Sequence, residues 1–209
     1  IARTERPLVL AGGCFRGKVQ SDALRRFADA QRMPVGTTWK NQDVFDNMSD
    51  LFAGHIGFGA SAAFQALLSE SDLILAVGTR LGDVASFGNT LPEAPQPKQT
   101  FIHVYPDGKP LNKNARADVA LVADPVALLA ELAHTARVVF SGRESWIRKI
   151  NTFVRTQREF KSSNPQDGVD FGEVVTSLAR QAPANCVLTT DSGNAPTWLH
   201  RHWPMSPMN

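Results

Sequence analysis

Residues 71–83, SDLILAVGTRLGD, join a polar cap, five uninterrupted apolar residues and a Gly-Thr-Arg turn. A strand that is apolar at every position is buried on both faces, and that restricts it to a parallel sheet covered by helices on each side. The turn that follows delivers backbone and one guanidinium to the carboxyl edge of such a sheet, where open α/β folds bind their ligands. This is one edge of a site, and the residues that would complete it must come from other strands.

Further segments repeat the pattern. Residues 7–11 (PLVLA) form an apolar run that ends in Gly12-Gly13. Ser21 can cap a helix from about 21 to 31, with Leu24, Phe27, Ala28 and Met33 inward and Arg25, Arg26, Asp29 and Arg32 outward. Residues 34–38 give the next strand, and residues 39–59 are polar and irregular, which predicts a long functional loop. Helical texture returns at 60–70, with strands at 73–77, 100–104 and 117–122. Asp124-Pro125 then starts a helix, Asp as cap and Pro in the first turn, ending near His134. The alternation predicts an α/β class: a doubly wound, Rossmann-like parallel sheet with helices on both faces.

The stretch 144–161 carries Trp146, Ile147, Ile150, Phe153, Val154 and Phe160 on a helical stripe among basic residues, and is read as a helix packing one face on its own domain. Residues 162–168 (SSNPQDG) are a linker. Asp170 and Glu173 have capping-box spacing for a helix through Ala182, and residues 186–190 (CVLTT) predict a strand running into Asp191-Ser192-Gly193-Asn194. The organisation is therefore a Rossmann-like domain over 1–135, a linker with a basic amphipathic helix over 136–168, and the start of a further domain over 169–209. About 40 residues do not bury a core of their own, so the tail docks on the first domain or awaits more chain.

The 22 basic and 20 acidic residues are well mixed and leave a formal charge of +2, which gives nucleic acid or an anionic membrane no single-sign field to follow. Neither a leader peptide nor an apolar run of spanning length is visible, and Cys14 and Cys186 stand far apart without any CxxC pair; both are read as buried thiols in a cytoplasmic protein. The chain starts without Met, six residues before its first strand, and is read as an excised piece.

Five loops converge at the carboxyl edge: Gly12-Gly13-Cys14, Thr37-Thr38-Trp39, Gly78-Thr79-Arg80, Tyr105-Pro106-Asp107 and Ala123-Asp124. Glycines there let backbone N–H groups approach an anion, and together the loops suggest a nucleotide. Arg80 has two readings of equal weight, a bidentate phosphate contact or a structural pair with a carboxylate such as Asp83. Gly12-Gly13 with Gly17 does not make a G-x-G-x-x-G fingerprint. The His200/His202 pair lacks further ligands at metal spacing, and His55 with Ser61 lacks a nucleophile elbow. No residue is assigned as catalytic and none as a metal ligand.

The ordered set ERPLVLAGG, MPVGTTW, HIGFGAS, SDLILAVGTRLGD, IHVYPD and ADVALVAD resembles the central domain of acetolactate synthase-like thiamine-diphosphate enzymes, and LTTDSGNAPTWLHRHWPM resembles the start of their third domain. The resemblance implies a six-stranded sheet that binds FAD or ADP in some members and nothing in others, with Gly13, Thr38, Gly57, Gly78, Arg80 and Asp83 at the matching positions. Tyr105 stands where the family usually has an acid suited to a ribose hydroxyl. Gly193 and Asn194 match positions that approach the cofactor diphosphate. The parent would use thiamine diphosphate and Mg²⁺ on a 2-keto acid and form a homo-oligomer. The activating glutamate and the Gly-Asp-Gly metal motif fall outside these residues, so the chain alone is expected to be inactive. Two other readings are a non-catalytic nucleotide-binding regulatory or structural module, and an NAD-dependent deacylase, for which the zinc-binding Cys quartet is missing.

Overall fold

The computed structural model describes residues 1, 3–135, 141–191 and 193–207. Six parallel strands, β1 (Pro7–Ala11), β2 (Val35–Thr38), β3 (Phe52–Ile56), β4 (Leu73–Val77), β5 (Thr100–Tyr105) and β6 (Val119–Val122), lie in the order β3-β2-β1-β4-β5-β6. The order reverses between β1 and β4, which pair along their length from Pro7 with Leu73 to Ala11 with Val77. A crevice therefore opens beyond the carboxyl ends of these two strands.

Alternation along β1 and β4 divides the core into two layers. Val9, Ala11, Leu73, Leu75 and Val77 face Leu24 and Phe27 of helix α1 (Lys18–Gln31) and Leu129 of helix α3 (Pro125–Ala133). Leu8, Leu10, Ile74 and Ala76 face Leu67 and Leu68 of helix α2 (Ala62–Ser69) and Trp146 and Ile150 of helix α4 (Ser141–Arg158). The two central strands are thus apolar at every position because both of their faces are covered, as the runs in the sequence require. The basic stripe on α4 faces outward while Trp146, Ile147 and Ile150 are buried.

Arg143, on the first turn of α4, is fully buried and donates to the carbonyls of Ile1, Thr4 and Gln31. Backbone dipoles thereby take the place of water around the guanidinium. Asp124 caps α3 as expected, accepting from the N–H groups of Val126 and Ala127. Helix α5 (Phe171–Gln181) starts at Asp170, whose carboxylate accepts from the Gly172 N–H, and packs on helix α6 (Ala195–His202).

Four expectations are corrected. The first helix begins at Lys18, after Gly17 at φ 99°, and Ser21 lies inside it, its hydroxyl donating to the Lys18 carbonyl. Residues 39–59 are not one loop: β3 crosses them, disguised in sequence by Gly54 at φ 90° and by His55. Residues 186–190 form no strand, because no neighbouring strand supplies the ladder that an extended segment needs. Cys14 is half-buried and Cys186 exposed. Residues 136–140 of the expected linker, and Ser192 of the last loop, lie outside the described residues. No helix among the described residues is long and apolar enough to cross a membrane.

Candidate functional site

At the floor of the β1/β4 crevice the glycines pack on one another. A Cβ on Gly12 would lie 2.3 Å from the Gly78 carbonyl oxygen, and one on Gly78, which has φ 64°, would lie 2.8 Å from Cys14 Cβ. The backbone donors of this turn are used internally: Gly12 N–H bonds to Val77, Cys14 N–H to Gly78, Phe15 N–H to Gly12 and Arg16 N–H to Gly13. Gly78 N–H bonds to the Val104 carbonyl at 3.0 Å. The small residues here allow two strand-to-loop turns to touch, and the Gly12 and Gly78 amides are spent on the neighbouring strands rather than on an anion.

Thr38 is buried and its hydroxyl donates to the Ala11 carbonyl at 3.0 Å; Asn41 Nδ2 in turn donates to Thr38 Oγ1 at 3.1 Å. Gly13 lies beside the Asn41 side chain, where a Cβ would be 3.1 Å from Oδ1. These residues lock the β1 and β2 loops together. His103 does the same for the β4 loop, its buried Nε2 lying 2.9 Å from the Thr79 carbonyl.

Arg80 is exposed at the crevice mouth, and its Nε donates to the Tyr105 hydroxyl at 3.3 Å. That bond raises the guanidinium above its ordinary range. Asp83 accepts from the Val84 N–H at 2.8 Å and opens a short 3-10 turn, with no ion pair to Arg80 among the described residues. The structural pair considered from sequence is therefore replaced by the Tyr105 contact. Burial pushes the Cys14 thiol up, the nearby Asp124 carboxylate adds to this and Arg80 opposes it. Cys14 is accordingly a protonated thiol and a poor nucleophile at neutral pH.

Gly57 belongs to a different cluster. A Cβ there would lie 2.8 Å from both His55 Nε2 and the Trp39 ring, so its smallness lets these rings close over the end of β3. His55 and His200 meet as tilted rings at 3.8 Å between centroids, and Trp39 meets them at 5.6 and 5.1 Å. Beside these rings lies a cavity of about 80 Å³ between β3, α4 and α6, lined by Phe64, Phe153, Val154, Arg158 and Arg201 among others. Sequence reading missed this cluster because its β3 half was hidden in a polar-looking stretch.

Gly193 and Asn194 form the turn into α6. Gly193 has φ 131° with nothing within 4 Å of an added Cβ, and the Asn194 side chain makes no cap bond. The turn is open, and it sits on the β3 side of the molecule, where Thr197 packs against Gly59. The predicted residues thus fall into three places: Gly13, Thr38, Gly78, Arg80 and Asp83 around the crevice, Gly57 under the ring cluster, and Gly193 with Asn194 at the start of α6.

The donors present fit some of the implied groups and not others. The open Gly193–Asn194 turn at a helix start suits a diphosphate. Among the described residues no group of three or more His, Cys, Asp or Glu is placed to hold a metal ion. The Gly12–Gly13 turn offers a nucleotide phosphate little, since it is closed by Gly78 and the Gly12, Cys14, Phe15 and Arg16 amides bond within the protein.

Residues 1–132 match the family model described as thiamine pyrophosphate enzyme, central domain. The chain is 28% identical over 210 residues to the acetolactate synthase large subunit of Parasynechococcus marenigrum, covering 99% of this chain and 33% of that protein. It is 30% identical over 206 residues to a probable acetolactate synthase large subunit of Methanocaldococcus jannaschii, covering 95% and 34%. Against the isozyme 2 large subunit of Escherichia coli it is 28% identical over 203 residues, covering 97% and 35%. The chain spans about a third of the length of these curated relatives.

Proposed function

Because the chain belongs to the thiamine pyrophosphate enzymes, through a central domain related to that of acetolactate synthases, we propose that it is the scaffold segment of an enzyme that condenses or decarboxylates 2-keto acids. The observation that carries this reading is the agreement between the matched residues, 1–132, and the complete six-stranded sheet with its crevice. Thiamine diphosphate, when bound, supplies the carbanion-type nucleophile and the electron sink. This chain's contribution to holding it is the Gly193–Asn194 turn; Mg²⁺, the activating carboxylate and the keto-acid contacts come from other domains of the parent.

In this reading the β1/β4 crevice is a packing junction. Thr38, Asn41, His103 and the paired glycines hold the loops after β1, β2 and β4 in fixed relation, and Arg80 with Tyr105 caps the outer rim. The parent is a cytoplasmic homo-oligomer of the transferase or lyase class, and residues 1–209 alone do not turn over. FAD and ADP have no proposed role here.

The test is a chimera in which this chain replaces the matching third of an acetolactate synthase large subunit, assayed for acetolactate formation from pyruvate. Measurable carboligation by the chimera, with none by residues 1–209 alone, is the expected result. A folded chimera that binds thiamine diphosphate and Mg²⁺ yet converts no 2-keto acid would count against the reading.

A further inference from the structure

Helix α6 is held on β3 and α4 by a small number of directed contacts. Gln42 Nε2 donates to the His200 carbonyl at 3.0 Å, Arg201 donates to the Gly59 carbonyl at 3.1 Å, and His202 Nδ1 lies 2.9 Å from the Arg158 carbonyl. Just beyond the helix, Met205 N–H donates to Asn47 Oδ1 at 3.0 Å, and the Asn47 N–H bonds back to the Met205 carbonyl at 2.9 Å. At the middle of this seam the rings of His55 and His200 meet, tilted against each other.

Both nitrogens of His55 and Nδ1 of His200 are enclosed and have no hydrogen-bond partner among the described residues. Neutral rings tolerate such a place through tilted and edge-to-face contacts with Trp39 and with each other. An imidazolium there would be a cation without an acceptor, 3.8 Å from a second titratable ring. The charged side chains facing the pair are Arg158 from α4 and Arg201 from α6. From β3, the loop that follows it and the start of α2, the lining side chains are uncharged apart from His55, and no carboxylate lines the cavity among the described residues. Burial, and for His55 the neighbouring His200 ring, oppose protonation.

We propose that His55 and His200 form a pH-sensitive latch: α6, with the Gly193–Asn194 turn, stays docked on β3 while both rings are neutral, and lifts away when either takes up a proton. The latch stands independently of the catalytic reading above. Burial holds His200 down at about 4, and burial together with the neighbouring His200 holds His55 well below its ordinary value. Released histidines titrate near 6.5. The undocked form then binds more protons between these values, so docking is complete above pH 6.5 and weakens as pH falls. With its docked value at about 4, His200 alone makes docking about 30-fold weaker at pH 5 than at pH 8.

Amide hydrogen exchange on the whole chain at pH 7.5, 6.0 and 5.0, corrected for the intrinsic pH dependence of exchange, tests the latch. The expected result is at least a tenfold loss of protection at Leu199 and Trp203 by pH 5, larger than any loss at Val9 and Leu10 of β1. His55→Phe/His200→Phe keeps ring contact but cannot take a proton, and the loss should shrink at least severalfold in it; His202 is retained in both chains, so its own titration leaves the same residual loss in each. Unchanged α6 protection in the parent sequence, or the same loss in the double variant, overturns the latch. Should the variant fail to fold, ring titration by NMR on the unaltered chain decides. Both imidazoles titrating below 6.5, in step with the α6 amides, supports the latch; either ring at or above 6.5, or α6 amides moving independently, overturns it.

Discussion

The indole N–H of Trp146 on α4 donates to the carbonyl of Pro7, the first residue of β1, at 2.9 Å across 139 positions of sequence. The same ring is 3% exposed and packs in the layer formed by Leu8, Leu10 and Ile74. One side chain thus fixes both the height of α4 on the sheet and the start of the central strand.

Trp146→Ala should therefore destabilise the fold by about 4 kcal/mol, from the lost burial and the cavity left behind. Urea unfolding followed by circular dichroism measures this, and a loss under about 1 kcal/mol would mean that α4 is not part of the cooperative unit.

Two glycines of the crevice should behave oppositely. Gly12→Ala places a methyl group 2.3 Å from a backbone oxygen and cannot be accommodated without moving β1 from β4; a loss of about 3 kcal/mol or failure to fold is expected. Gly82→Ala meets nothing within 4 Å and should change stability by less than about 0.5 kcal/mol. Thermal unfolding of the two variants side by side checks the contrast.

Stability should fall on acidification before any carboxylate titrates. Burial lowers His55, His103, His200 and His202 in the folded chain, so the unfolded chain binds more protons below its ordinary histidine value of about 6.5. Stability is then fully present above about 6.5 and is lost as pH falls toward the folded values, near 4 for His200. Urea midpoints at pH 7.5 and 5.0 should differ in that direction, and equal midpoints would show that these rings are not held neutral.

FAD and ADP at about 1 mM should leave the melting temperature unchanged, since a ligand with a dissociation constant near 10 μM would add about 2.7 kcal/mol. A reproducible rise with either would mean that the Gly12 and Gly78 turns separate to admit a phosphate.

Much of the sheet was legible because β1 and β4 are buried on both faces and so carry no polar interruption. The Asp124 and Asp170 caps were legible because their chemistry is local: a carboxylate finds amides two or three residues ahead. β3 was not, since its signal is carried by contacts from elsewhere, Phe64 on Gly54 and Trp39 on Gly57. Residues 186–190 have strand composition without a strand, because propensity does not supply a ladder partner. Among the candidate site residues, sequence brought out those at strand ends but could not tell an amide turned to solvent from one bonded to its neighbour. The His55–His200 meeting joins two segments 145 positions apart, and nothing in local pattern announces it.

The two borders of the sheet are finished unequally. β3 is closed over by α4 and by the segment that follows α6, whereas all four residues of β6 are exposed, Val122 at 64%. VALV holds no charge or proline of its own, and the nearest charge in sequence, Asp118, is spent on the Phe101 N–H. Such a border is a template for another extended segment. Self-association of the isolated chain would therefore grow from one side only, strand by strand beyond β6, and a single lysine introduced at Leu121 would be the economical way to keep it dispersed.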